Sequence, residues 1–185
     1  MIRPIPHQPS RSCGILCFTL HRNEMSGTLT QAGTGSCASA LELLRSDHKK
    51  IGQLLNQFDL IAHQSGNFAD RQGLIARIGA LFNALHGVNE EIVYPLLARS
   101  VAPELLQAAQ KDHQLLCQQL ELVAANGAQN TSADADMQTL ATLLRAYFAM
   151  EEEKLFPYLA KFDSSTLGQQ VAIHRSAELG DQGAD

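Results

Sequence analysis

The chain has 185 residues, 45% of them hydrophobic, and a formal net charge of −5. That length fits one domain with tails, with enough apolar side chains for a core. The acidic balance and the lack of a basic stripe argue against a nucleic-acid surface, and no apolar run reaches the roughly eighteen residues that a membrane span needs. Aromatic residues are only 5% and tryptophan is absent, so leucine and alanine must supply most packing, a usage that favours helices.

Residues 1–37 are rich in Ser, Thr, Gly, Pro and Gln, show no sustained period, and are expected to form a disordered leader. Met25 is a second candidate start. The apolar segment Cys13–Leu20 is short and lacks a small-residue cleavage site, so a signal peptide is not expected. Cys13, Cys17 and Cys37 lie in this leader and Cys117 in the core region. No disulfide framework follows, and a cytoplasmic location is expected. Gly33-Thr34-Gly35-Ser36-Cys37-Ala38 has the letters of a dinucleotide fingerprint but follows no strand.

Four amphipathic stretches follow, within an expected domain of residues 38–163. The first, from about 38 to 64, carries Leu41, Leu44, His48, Ile51, Leu55 and Phe58 at helical spacing. The second, from about 70 to 99, carries Leu74, Ile78, Leu81, Leu85 and Val88, with Ile75, Phe82, His86, Glu90, Val93 and Leu97 beside them. The third starts at Pro103, a first-turn proline, and ends before Asn126-Gly127. The fourth, from about 132 to 162, has the inner stripe Leu140, Leu144, Tyr147, Glu151, Leu155 and Tyr158. Pro95 and Pro157 each remove a backbone donor and should kink their helices near the last turns. Short connections predict an all-α, up-down-up-down four-helix bundle. Residues 164–185 read as a polar, mobile tail with a short helix around 167–179.

The inner stripes carry a set of possible metal ligands. His86 and Glu90, four apart, share one helix face with Cβ atoms about 6 Å apart, so one ion could be clamped from one helix. The surrounding pattern recurs. Asp47-His48 returns as Asp112-His113, and Glu90-Glu91-Ile92-Val93-Tyr94-Pro95 returns as Glu152-Glu153-Lys154-Leu155-Phe156-Pro157. His48, His86, Glu90, His113 and either Glu151 or Glu152 are the candidate ligands, with Tyr147 one turn before Glu151. Imidazole and carboxylate together suit iron, manganese or zinc. Taken singly, each histidine has the plainer reading of a surface or capping residue, and the glutamates that of a solvated face. The recurrence in both halves favours a shared site. No Glu-x-x-His and no His-Glu-x-x-His occurs, which removes the ferritin-like pattern and zinc-protease chemistry.

Asp-His in the first helix, His-x-x-x-Glu-Glu before Tyr-Pro in the second, Asp-His in the third and Glu-Glu-Glu-Lys-Leu-Phe-Pro in the fourth resemble the hemerythrin-like cation-binding family. The resemblance covers about 41–163. It implies a four-helix bundle with a non-haem di-iron centre that meets dioxygen, nitric oxide or peroxide, in sensing, small-molecule handling or iron-linked stress defence. It places ligands at His48, His86, Glu90, His113 and Glu151. The chain departs from the family in two ways. Tyr147 stands where a histidine is expected, either as a phenolate ligand or as a hydrogen-bonding neighbour, and the stretch from His86 to Tyr94 is one residue short. The alternative function is a metal-poor helical interaction module with an incomplete site. A peroxide-consuming enzyme is a third reading, with no specific acid–base group in view. The expected partner is a small diatomic or peroxide ligand, with no nucleic acid and no membrane.

Overall fold

Ser39 and Glu42 open the first helix with a capping box. The Glu42 backbone N–H donates to Ser39 Oγ at 3.2 Å, and the Ser39 N–H to Glu42 Oε2 at 2.8 Å, which satisfies two donors that the first turn leaves unpaired. The computed structural model describes residues 38–62, 67–126 and 133–180, all within the unit Gly35–Asp185. The leader, and with it the reading of 1–37 as disordered, lies outside the described residues.

Every regular element among the described residues is helical: α1 Ala40–Ala62, α2 Phe68–Val88, a π-helical turn π1 Asn89–Val93, α3 Tyr94–Leu97, α4 Pro103–Asn126, α5 Ala133–Met150, a second π-turn π2 Glu151–Leu155, α6 Phe156–Leu159, and α7 Ser165–Gly180. The four amphipathic stretches thus fall within a few residues of their expected bounds. The inner stripe of the fourth is buried from Leu140 through Leu155, Tyr147 and Glu151 included. Each large aliphatic side chain so buried contributes about 1.5–3 kcal/mol. No described helix is long and apolar enough to cross a membrane.

The two interior prolines explain the two π-turns. A proline ring clashes with the carbonyl four residues back, here Glu91 for Pro95 and Glu153 for Pro157. Both carbonyls belong to the wide turn immediately before the proline. The wider turn shifts the phase of the side chains, and both π-turns lie at the candidate site.

α1 packs on α2, and α4 on α5. Arg71, buried on α2, forms an ion pair with Asp134 on α5 and lies over the Phe58 ring at 5.3 Å. The short helix expected around 167–179 is present as α7, residues 165–180, and what differs from the expectation of a mobile polar tail is that α7 packs on both α1 and α2. Leu167 and Val171 are buried there, and the Arg175 guanidinium lies 2.6 Å from the buried carboxylate of Asp47. Gly87 makes the close approach of α7 possible, since a Cβ there would sit 2.6 Å from His174 Cε1. The tail looked mobile because its apolar residues are few. Its docking depends on small contacts and one buried ion pair rather than on a long apolar stripe.

Candidate metal centre

His86 closes the last turn of α2, Glu90 stands in π1, and His113 lies in the middle of α4. Their ligand atoms all lie within 4.8 Å of one another. His86 Nδ1 is 3.1 Å from His113 Nε2, and Glu90 Oε1 is 3.9 Å from His113 Nδ1. His113 is fully buried, held edge-on to Phe82 and stacked on the Tyr147 ring at 5.3 Å. Burial pushes the His113 pKa down to about 3, and the neighbouring His86 pushes it in the same direction. Burial also lowers the His86 pKa, against the opposing carboxylates of Glu90 and Glu178. Both rings are therefore neutral near pH 7, the form with a lone pair for a metal.

Beside this cluster lies a hydrogen-bonded group of four. Asn89 Nδ2 donates to Glu151 Oε1 at 2.8 Å and to the Tyr147 hydroxyl oxygen at 3.3 Å. The Tyr147 O–H donates to Glu151 Oε1 at 2.9 Å, and the two phenol oxygens of Tyr94 and Tyr147 are 2.5 Å apart. Burial raises the pKa of Tyr147 well above that of a free phenol, and the Glu151 carboxylate adds to the effect. Burial raises that of Tyr94 too. Both phenols are thus protonated. Asn89 Oδ1 is buried without a hydrogen-bond partner.

On the far side of Glu151, His48 stacks on Phe148 at 4.1 Å. Its Nε2 is 3.1 Å from Glu151 Oε2 and its Nδ1 is 2.8 Å from Glu152 Oε1. A carboxylate can only accept, so this arrangement suits a ring that donates from both nitrogens. Burial lowers the His48 pKa, but the hydrogen bonds and charges of Glu151 and Glu152 outweigh it, and the net shift is upward.

Of the six candidate ligands, His86, Glu90 and His113 converge on one point. Glu151 and Tyr147 face Asn89 and Tyr94, and His48 stands behind Glu151. Glu151 is buried, as the apolar stripe required, whereas Glu152 is half exposed yet reaches His48. His174 pairs with Glu91 at 3.0 Å, outside the cluster. Sequence reasoning missed Asn89, Tyr94 and the Asp47–Arg175 pair. The signal for Asn89 was present, because it lies six residues before Pro95 as Glu151 lies six before Pro157.

Two neutral imidazoles and one carboxylate within reach of one point fit a single divalent transition ion. The donors for a second ion fit less well. Both Glu151 oxygens have hydrogen-bonding partners, and both His48 nitrogens face carboxylates. No curated protein and no solved structure matches this chain. Residues 39–159 match the family model described as the hemerythrin HHE cation-binding domain, and since that span is well over half of the chain, the protein belongs to this family.

Proposed function

We propose that this protein holds iron within its helical bundle at His86, Glu90 and His113, and that the bound iron meets a small molecule of the dioxygen, nitric oxide or peroxide class. The observation that carries this reading is the convergence of those three side chains within 4.8 Å. Bound iron would supply a Lewis-acid and redox centre with positions left open to a small ligand. His86 and His113 present lone pairs because burial keeps them neutral. Glu90, about one-third exposed, brings one negative charge and faces the path to solvent. Phe82, Tyr94 and Tyr147 wall the inner side. An up-down-up-down run of the four long helices and a cytoplasmic location belong to the same reading.

A second reading adds His48, Glu151 and Tyr147 to make a paired iron centre. The 3.1 Å approach of His48 Nε2 to Glu151 Oε2, both buried, favours it. The test is elemental analysis of protein purified without added metal, with an ultraviolet-visible spectrum. Iron should be present, and His86→Ala and Glu90→Ala should each lose it. Glu91→Ala, at an exposed carboxylate paired with α7, should not. Metal well below one per chain that ferrous iron fails to restore supports a metal-poor interaction module instead.

A further inference from the structure

Asn89 and Glu151 are counterparts in the two halves of the chain. Each is the first residue of a π-turn, six residues before a proline, and 1% exposed. They meet, with Asn89 Nδ2 donating to Glu151 Oε1 at 2.8 Å. Two carboxylates at that separation would repel and would need a cation or a proton between them. An amide facing a carboxylate needs neither, because the N–H satisfies the charge.

We infer that this chain holds one cation rather than a pair, because Asn89 closes the second position with a hydrogen bond where a carboxylate would have called for an ion. The inference rests on the reading that a cation binds at all. The rest of the group agrees with it. Tyr147 donates to the same Glu151 oxygen, and Asn89 donates to the Tyr147 hydroxyl as well. Glu151 Oε2 faces His48, whose other nitrogen faces Glu152. The Asn89 Oδ1 has no partner, but an amide oxygen brings no charge to hold a second ion. The oxygens that could hold one are thus engaged or neutral, while the His86–Glu90–His113 set meets the network at its edge, where the Tyr94 hydroxyl lies 3.5 Å from His113 Nδ1 and the Tyr147 ring stacks on the His113 ring.

The test is stoichiometry by anaerobic titration of the metal-free full chain with ferrous iron, followed by equilibrium dialysis and elemental analysis. Wild type should saturate at about one ion per chain. Asn89→Asp keeps the size of the side chain but replaces the donor with an oxygen, so it should saturate at about two and gain more in melting temperature on iron addition than wild type does. Tyr147→Phe removes a hydroxyl without adding charge and should stay at one. Wild type saturating at two overturns the inference, whether or not Asn89→Asp folds. So does a folded Asn89→Asp that stays at one, or a Tyr147→Phe that rises to two. No binding to wild type sinks the cation reading together with this one.

Discussion

Tyr147 donates its hydroxyl proton to Glu151 one helical turn later, at 2.9 Å, while its own oxygen lies 2.5 Å from that of Tyr94. A residue that faces the site therefore acts in the structure as a hydrogen-bond donor to a buried carboxylate. Losing that donor leaves the buried Glu151 carboxylate with one partner fewer. Tyr147→Phe should cost about 1–3 kcal/mol of stability, read by urea unfolding, with helical content unchanged. A cost near zero would mean that the bond contributes nothing net.

The same two phenols should resist ionisation. Burial raises both pKa values, so an absorbance titration should show two of the three tyrosines still protonated at about pH 11, until the protein unfolds. A phenolate-to-iron absorption band in the ferric protein would show instead that the metal takes the Tyr147 oxygen from Glu151.

Metal-free protein should lose stability as the pH falls below neutrality. His113 has a folded pKa of about 3 against 6.5 in a free ring. Between those values the unfolded chain binds a proton that the folded chain refuses, so stability falls as pH falls, by up to about 1.4 kcal/mol per pH unit for each such group. His86 acts in the same direction. His48 acts oppositely: with its pKa raised, its contribution is complete below 6.5 and is lost as pH rises through its folded pKa. Melting temperatures of the chelator-treated protein between pH 5 and 7 should therefore drop on the acid side, and His113→Gln should flatten that drop. An unchanged slope in the variant would rule out His113 as its source.

Removing Arg175 should loosen α7. Asp47 is buried beside that guanidinium, and a buried charge stripped of its partner is costly. Asp47 can soften the loss by taking a proton, since burial already raises its pKa against Arg175, Lys50 and His48. Arg175→Ala should lower stability by about 2–3 kcal/mol, and amide exchange in α7 should accelerate more than in α4. Uniform exchange across all helices would contradict a docked α7.

Much of this arrangement was legible in the sequence. The stripe Leu140–Leu144–Tyr147 marked the buried face of α5 because an α-helix keeps its phase, and it led on to Glu151 where π2 begins; Pro103 marked the start of α4. The paired prolines marked a disturbance, but periodicity could not say that it would take the form of a wider turn. That turn brings Asn89 inward to face Glu151 and leaves Glu90 at the rim. The i, i+4 argument found His86 and Glu90 but passed over Asn89, because an amide carries no metal-binding signature. The docking of α7 was hidden for a different reason. Arg175 and Asp47 are 128 residues apart in sequence, and nothing local to either residue announces the pair.

A single ion held between His86, Glu90 and His113 should be visible in iron-edge X-ray absorption of the loaded protein. Scattering should come from about two imidazoles per iron with no iron–iron vector, and the imidazole signal should fall in His113→Ala. An iron–iron vector, or a spectrum unchanged by His113→Ala, would contradict a single ion so held.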